Sequence, residues 1–482
     1  MACLLGVLFV AFLVTFSMSE LVVEKEVRGD SDIQGNIYVG LNDSDYTEER
    51  EGDQEEEIYD VAIVGGGLSG LVLMNDLHSK YNKENDSNKK GIVLLEASTR
   101  FGGRLMNTPT GLDLGAAWVW PQAGQPNVES LLLELSMETF DQPGDSPAGT
   151  RITGGAYAFI ENLINNIKKH TKMKVDMSSC ESPLQLDWYL EQVRLVTRAS
   201  SISSNADTND NSGNDNGKDS KRKDKEIEVV QLTAMQRDTE SSPRTILARH
   251  VILAIPPRLL ATSVTFSPPL PTHKLQAMLQ AYTWMAGVSK VVIEYPFKFW
   301  PAEMDPLVNT GLKYQGTSGS SSSSRGKGNR NRGTAAPAFQ VYDGSTEDYD
   351  RVAITFFTLP PPDGSLDDNQ KLAQACVQQL AEIWIDNEIP EPILNRLVNK
   401  TGAVTVQRWP LSSISDDFAP TTIRPHPKIN RVLREPIWNG KVLFAGSESD
   451  QYSPGVMEGA ISSAKAARQD LEYIISREKE GR

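Results

Sequence analysis

The sequence has few of the residues that metal, disulfide and nucleophilic sites require. Cysteine occurs three times and histidine five times in 482 residues. Cys3 lies near the N-terminus, and Cys180 and Cys376 are single and far apart, so no disulfide framework or CxxC site is visible. The histidines lack the spacing of metal ligands, and we find no Ser-His-Asp set and no paired catalytic carboxylates. We therefore expect no metal site.

Negative charge is concentrated near the N-terminus. The formal net charge of the chain is −15, and residues 20–59 hold fourteen acids against three bases, a net of −11. The remaining chain is therefore near −4, so the acidity says little about what the folded part attracts. The polar, acidic composition predicts that residues 20–57 are disordered.

The N-terminal segment 1–19 has an apolar run from Leu4 to Phe16 followed by small residues. This pattern predicts a cleaved signal peptide, although no positive charge precedes the run; an uncleaved membrane anchor is the alternative. Sequons at Asn42, Asn85 and Asn399 fit a secreted glycoprotein. We expect a secretory or extracellular location, with membrane association only if the leader is retained.

The stretch 60–70 reads DVAIVGGGLSG, an apolar strand followed by G-x-G-x-x-G and then an apolar helix start. Gly65 permits the tight turn, Gly67 lets the backbone approach a diphosphate, and Gly70 lets helix and strand pack closely. A tight turn without a ligand is the alternative interpretation. The candidate cofactor contacts in this turn are Gly65, Gly67, Leu68, Ser69 and Gly70.

A second apolar strand, GIVLLE at 91–96, follows a polar loop and ends in Glu96. An acid at this position of a dinucleotide-binding unit can bind a ribose hydroxyl. Ala97 is the adjoining candidate contact. The order of strand, glycines, helix, strand and acid makes the interpretation much stronger than the glycine motif alone.

Further segments extend the pattern. The chain reads FGGR at 101–104 and LDLGAAWV at 112–119, and the region 441–467 again reads strand, glycine turn and small-residue helix. Together with GGGLSGL and LLE, their order resembles the flavin-dependent amine oxidase superfamily, most nearly its monoamine oxidase-like members. The resemblance implies an α/β fold, with a Rossmann-like FAD-binding domain of the GR2 type and an interleaved α+β substrate domain.

The resemblance also implies roles for residues far from the first motif. Arg104 matches a position against the diphosphate or flavin edge, and Glu448 matches an acid that contacts the ribityl and phosphate portion. Val456 and Met457 match the helix start whose amides face the flavin N1–O2 edge, and Val193 matches a backbone contact near the adenine. The other implied cofactor contacts are Gly103 and Gly446.

Two residues are candidates for the chemistry. Lys290 lies on an alternating strand, MAGVSKVVIEYPFKFW at 285–300, and matches the lysine that holds a water at flavin N5 and supports reaction with O2. An edge-strand lysine that reaches solvent is the alternative. Trp409 matches an aromatic residue beside the flavin ring, and plain core packing is its alternative.

The sequence departs from monoamine oxidases in the substrate cage. These enzymes hold the amine between two tyrosines and bind flavin through a cysteine. Here the second tyrosine position is Val456, and residues 416–427 contain no cysteine, so we expect noncovalent FAD. Tyr452, Trp118 and Trp120 are candidates for aromatic walls. No arginine is clearly placed for an amino acid carboxylate.

The expected domains are interleaved along the chain. Residues 58–110, 225–257 and 404–475 are assigned to the FAD-binding domain, and 111–198 and 258–403 to the substrate domain. The segments 199–224 and 315–333 are low-complexity insertions, most simply surface loops, and we expect no nucleic-acid partner from the basic residues in the first of them.

The function implied by the resemblance is oxidative deamination. An FAD-dependent amine oxidase would convert a small amine to an imine that hydrolyses to the aldehyde, with O2 reduced to H2O2. A desaturase or dehydrogenase of the same superfamily is one alternative, and a flavin-binding protein without turnover is another. The lysine at position 290 favours the oxidase.

Overall fold

The structure is a computed structural model that describes twelve stretches of the chain. They are residues 57–81, 90–120, 124–142, 149–170, 182–200, 225–236, 242–300, 336–359, 361, 364–386, 388–409 and 425–481. The predicted leader at 1–19, residues 20–56 of the acidic segment, residues 201–224 of the predicted insertion 199–224, and the insertion 315–333 lie outside these stretches.

The described residues form the following strands and helices. The strands are β1 (Ile58–Val64), β2 (Lys90–Leu95), β3 (Trp118–Val119), β4 (Thr139–Asp141), β5 (Thr150–Ile152), β6 (Leu184–Gln185), β7 (Trp188–Ser200), β8 (Lys225–Gln236), β9 (Arg244–Leu253), β10 (Thr265–Ser267), β11 (Ser289–Tyr295), β12 (Ala338–Asp343), β13 (Val352–Thr358), β14 (Val404–Arg408) and β15 (Val442–Phe444). The helices are α1 (Leu68–Tyr81), α2 (Pro126–Glu134), α3 (Ala158–His170), α4 (Pro257–Ser263), α5 (Thr272–Gln280), α6 (Asn369–Asp386), α7 (Glu391–Asn399) and α8 (Met457–Lys479).

The largest sheet has the strand order β10-β7-β8-β9-β1-β2-β6, and β15 pairs with the end of β9. The pairs β1·β2, β1·β9 and β9·β15 are parallel, whereas β7, β8 and β9 form an antiparallel meander. The apolar run of β1 is buried on both sides of the sheet, as a parallel strand requires. This arrangement confirms the Rossmann-like fold expected from the glycine motif.

Two antiparallel sheets accompany the large one. β12-β13-β11-β14 forms a four-stranded sheet whose apolar side packs against α6 and α7, and β3-β5-β4 forms a three-stranded sheet. β11 lies between β13 and β14, so it is a central strand. The residues of β11 are therefore held by hydrogen bonds on both sides.

Some sequence-based boundaries differ from the observed pairing. β6 and β7 fall in 111–198 and β10 falls in 258–403, which we assigned to the substrate domain, yet all three belong to the large sheet. β14 opens the segment 404–475, assigned to the FAD-binding domain, but pairs with β11 of the second sheet. Strand pairing joins segments distant in sequence, so composition and local pattern do not fix which sheet a strand enters.

The two chain regions singled out by their glycine turns pack together. Apolar residues of α1 and α8 share one buried cluster with β1 and β2. A side chain at Gly459 would overlap the carbonyl oxygen of Ser453, so the first turn of α8 needs a glycine for close approach. Among the helices described, none has both the length and the apolar composition to cross a membrane.

Candidate active site

A cavity of about 840 Å³ lies at the carboxyl ends of the parallel strands. The residues that follow β1, β2, β9 and β15 all reach it, namely Gly65, Glu96, Ala254 and Gly446. Ligands of open α/β sheets bind at this edge, and the volume is that of a pocket for a small ligand or cofactor. The cavity therefore brings the N-terminal and C-terminal motifs to one place.

The glycine turn after β1 is shaped for close approach. Gly65 has φ of 107°, and a side chain at Gly70 would overlap the carbonyl oxygen of Gly65. A Cβ at Gly67 would meet no atom within 4 Å, so its missing side chain leaves open space beside the cavity. Gly65, Gly67, Leu68 and Ser69 line the cavity, whereas Gly70 lies behind them, where it lets α1 pack on the turn.

Glu96 is buried, and its carboxylate holds the turn in place. Oε2 accepts the backbone N–H of Gly66 at 2.6 Å, and Oε1 accepts that of Ser98 at 2.8 Å. Glu96 and Ala97 both line the cavity, as predicted. The carboxylate thus fixes the glycine turn and also lines the cavity.

Arg104 and Glu448 form a bidentate ion pair on the cavity wall. Nη1 and Nη2 of Arg104 lie 2.7 and 3.1 Å from the carboxylate oxygens of Glu448, and Nη2 also donates to Oγ of Ser447 at 2.9 Å. The Glu448 carboxylate is buried, whereas about a third of the Arg104 side chain is exposed. A planar guanidinium held this way presents its remaining surface to an anionic group.

The C-terminal motif contributes a turn and a helix start. Gly446 has φ of 109°, and its N–H donates to the hydroxyls of Ser69 and Ser463 at 3.1 and 3.2 Å. Val456 and Met457 line the cavity at the beginning of α8, where no side chain caps the helix. The helix N-terminus therefore contributes positive potential to the cavity wall.

Lys290 is fully buried and lines the cavity from the central strand β11. Its Nζ donates to the carbonyl oxygen of Gly115 at 2.9 Å and lies 5.2 and 5.3 Å from the ring centres of Phe357 and Tyr342. The edge-strand alternative was wrong, because β14 covers the other side of β11.

Burial lowers the pKa of Lys290 from its ordinary 10.5 to about 7. The nearby Arg151 lowers this pKa further, and Asp113 opposes the shift. These two side chains form a buried ion pair at 3.1 Å, and Asp113 also accepts the backbone N–H of Ala156 at 2.8 Å. Lys290 is thus a proton-exchanging group at neutral pH inside an apolar wall.

Aromatic side chains dominate the wall around Lys290. Trp409 lines the cavity and is 8% exposed, and its indole N–H donates to the carbonyl oxygen of Leu114 at 3.3 Å. Trp118 and Trp120 also line the cavity, as expected. Tyr452 does not, because its side chain is 86% exposed, so its suggested role in the wall was wrong.

Val193 lies away from the cavity. It is buried within β7, where it pairs with Leu232 and Phe266, and other residues of that strand line the cavity. The residues of β7 that line the cavity come before Val193 in the sequence, so the structure does not bring Val193 to the cavity wall. The cavity-lining residues of β7 and β8 are Trp188, Tyr189, Leu190, Glu191, Met235 and Gln236.

Two further aromatic wall residues were missed by the sequence reasoning. Trp284 lies in the segment YTWM before β11, and Phe357 lies in β13, opposite Lys290. The aromatic content of 282–285 was an available signal for Trp284. No signal in the sequence marked Phe357, because only the pairing of β13 with β11 brings this residue to the cavity.

The residues present fit a flavin dinucleotide. The glycine turn after β1 suits the diphosphate, the Arg104–Glu448 pair suits the ribityl portion, and the N-terminus of α8 suits the flavin ring. Aromatic side chains line the adjoining part of the cavity. Within the described stretches, no three His, Cys, Asp or Glu side chains gather where they could hold a metal ion. The cavity therefore suits an organic redox cofactor.

Comparison with known protein families agrees with this geometry. A family model for flavin containing amine oxidoreductase matches residues 221–471, and one for an NAD(P)-binding Rossmann-like domain matches residues 63–135. The relatives found include flavin-containing amine oxidase B of Sus scrofa, which is 22% identical over an alignment of 495 positions, gaps included, that covers 87% of this chain and 87% of that one. Flavin-containing amine oxidase A of Equus caballus is 21% identical over an alignment of 490 positions, gaps included, that covers 86% of this chain and 85% of that one.

Solved structures show the same fold. A putrescine oxidase structure with bound putrescine has a TM-score of 0.51 at 14% identity and covers 87% of this chain and 100% of its own. Cyclohexylamine oxidase from Brevibacterium oxydans has a TM-score of 0.52 at 15% identity, with coverages of 86% and 99%.

Proposed function

The chain belongs to the flavin-containing amine oxidoreductase family, and from that premise we propose that it is an FAD-dependent oxidase that deaminates a small amine and reduces O2 to H2O2. The observation that carries the proposal is the continuity of one cavity from the glycine cradle to Lys290. A dinucleotide anchored at Gly67 and Glu448 would extend its reactive ring toward that lysine. The family membership alone would be compatible with dehydrogenases, and Lys290 favours the oxidase.

The chain's own residues would hold FAD and prepare its surroundings. The backbone amide of Gly67 and the guanidinium of Arg104 suit the diphosphate, and Glu96 suits a ribose hydroxyl. Bound flavin supplies two-electron redox chemistry between an amine and O2. The amides at the start of α8 stabilise negative charge nearby.

Lys290 is the catalytic residue we propose for the reaction with O2. Its buried Nζ, with a pKa lowered by burial to about 7, can hold a proton or orient a water in the chamber. A positive charge placed there favours electron transfer to oxygen, because the reduced oxygen species are anions. The aromatic walls exclude bulk water, which strengthens this electrostatic effect.

The walls favour an apolar amine that reacts in its uncharged form. The aromatic residues that line the cavity together with Lys290 include Trp118, Trp120, Trp284, Phe357 and Trp409. Of the three acids that line it, Glu96 and Glu448 are engaged on the cofactor side, and Glu191 lies on β7. Burial of an ammonium ion among these rings without a carboxylate would be costly. Aliphatic or aromatic monoamines are therefore proposed over diamines and amino acids.

FAD is proposed to be bound noncovalently. The described cavity wall contains no cysteine, and the one cysteine in the described residues, Cys376, is a buried residue of α6. Acid precipitation of the purified protein should release the flavin into the supernatant, and flavin retained in the pellet would contradict this.

The deciding experiment combines an amine panel with two lysine variants. The wild type should be yellow, be bleached anaerobically by its amine, and release H2O2 in air. Lys290→Met should slow reoxidation of the reduced enzyme by O2 about 10²-fold, the scale for removing one preorganised catalytic group. Lys298→Met is the matched control, because Lys298 donates to the Tyr349 hydroxyl at 2.6 Å outside the cavity.

Each alternative has its own outcome. A colourless protein that takes up no added FAD would refute the proposal entirely. Bleaching by substrate without H2O2 would favour a dehydrogenase or desaturase, and a yellow protein that no amine bleaches would favour a flavin-binding protein without turnover. Unchanged reoxidation in Lys290→Met would remove Lys290 from the mechanism.

A further inference from the structure

Glu458 is a buried carboxylate that the proposed reaction does not use. It lies in the first turn of α8, is 4% exposed, and is next to Met457 on the cavity wall. Its oxygens accept the backbone N–H of Asn127 at 3.1 and 3.2 Å and that of Val128 at 2.9 Å. Nδ2 of Asn127 donates to Oε1 at 2.7 Å. Both oxygens of Glu458 are therefore occupied by the beginning of α2.

These bonds replace a cap that α2 lacks. The residue before the helix, Gln125, makes no side-chain capping bond, and its Oε1 instead accepts the backbone N–H of Trp120 at 2.7 Å. The first free amides of a helix need acceptors, which usually come from the neighbouring residue. Here the acceptor is 331 residues away from Asn127 in the sequence.

The capping contact lies between two parts of the cavity wall. Met457 is on one side, and Gln125 and Trp120, on the other, also line the cavity. We propose that Glu458 is a positioning residue that fixes the wall of Trp120 and Gln125 relative to the start of α8, and so sets how the amine is seated beside the flavin. This inference rests on the proposed function and assigns Glu458 a role through other residues, with no contact to the substrate.

Glu458 also supplies the negative charge at this contact. The N-termini of α2 and α8 each carry partial positive charge, and the carboxylate lies at both. Replacing it by an uncharged amide leaves that positive potential uncompensated near the flavin. A reduced, more negative flavin is then favoured, so the flavin midpoint potential should shift in the positive direction.

The test uses the holoenzyme of Glu458→Gln. We expect faster amide hydrogen exchange in the first turn of α2, a several-fold higher KM for the amine with a smaller change in kcat, and a positive shift of the flavin potential. Glu129→Gln is the matched control, because Glu129 is an exposed acid in the same helical turn. It should leave exchange, KM and potential at their wild-type values.

A second variant covers a failure of Glu458→Gln to fold. Asn127→Ala removes only the side-chain donor and keeps the charge of Glu458. The KM for the amine should therefore rise, and the flavin midpoint potential should keep its wild-type value. If either folded variant shows wild-type amide hydrogen exchange in α2 and a wild-type KM for the amine, the inference about Glu458 is overturned. The oxidase proposal would still stand in that case. A wild type without flavin or without amine turnover would overturn both.

Discussion

Lys290 shows how one residue combines a stability cost with a function. A lysine buried among Phe357, Tyr342 and an ion pair is expensive to keep charged, and its pKa is lowered accordingly. The strand that carries it is central, so the side chain cannot turn toward solvent at an edge. Retention of a lysine in this place is consistent with chemistry that needs its proton near neutral pH.

The burial of Lys290 predicts a pH dependence of folding stability. Between about pH 7 and 10.5 the unfolded chain holds a proton on this lysine that the folded protein releases. The lysine therefore makes the free energy of unfolding rise with pH, by at most about 1.4 kcal/mol per pH unit. The buried Lys274, whose pKa is also lowered to about 7, contributes in the same pH range. Lys290→Met should therefore reduce the slope measured in denaturant titrations between about pH 7 and 9, and Lys298→Met should retain it. An unchanged slope in Lys290→Met would contradict the lowered pKa.

At the scale of elements, the glycines of the turn between β1 and α1 have different structural roles. Gly70 allows α1 to pack on the turn, whereas Gly67 faces open space in the cavity. The first is a requirement of the protein itself, and the second is a requirement of a ligand that approaches the backbone.

Two alanine variants should separate these roles. Gly67→Ala should fold with near wild-type stability, because its Cβ meets no protein atom within 4 Å, but should bind FAD much more weakly. Gly70→Ala should lose stability and flavin together, because its Cβ overlaps the carbonyl oxygen of Gly65. Flavin absorbance and thermal unfolding check both. Full FAD affinity in Gly67→Ala would mean that the backbone at this turn does not approach the cofactor.

At the scale of the whole molecule, the cavity joins chain segments that are far apart in sequence. Gly67 and Glu96, near the beginning of the described chain, line the cavity, and so do Glu448 and Met457, near its end. Ser69 and Ser463 link the two regions directly through Gly446. A ligand that contacts both regions must stabilise the folded state as a unit.

FAD should therefore raise the unfolding temperature of flavin-depleted protein. At a free concentration of about 100 times Kd the expected gain is about 2.7 kcal/mol. FMN is the matched control, because it carries the same ring without the adenosine portion that a dinucleotide cradle recognises, and it should give a much smaller shift. Equal shifts with both ligands, or none with FAD, would argue against the dinucleotide site.

Local patterns in the sequence were sufficient for the motifs. The turn at Gly65–Gly70, the acid at Glu96, the strand of Lys290 and the helix after Val456 are each encoded within a few residues, by glycine conformation and hydrophobic period. The resemblance to a family then related motifs at the two ends of the chain. All of these residues except Gly70 line or adjoin the observed cavity.

The tertiary structure decided what depends on contacts between distant segments. Lys290 lies on a central strand, and β14 belongs to the second sheet. Phe357 lines the cavity, whereas Tyr452 lies at the surface. It also gave Glu458 its partners on α2. Sequence periodicity tells which side of a strand or helix is buried, but the identity of the neighbour follows only from the packing of the whole chain.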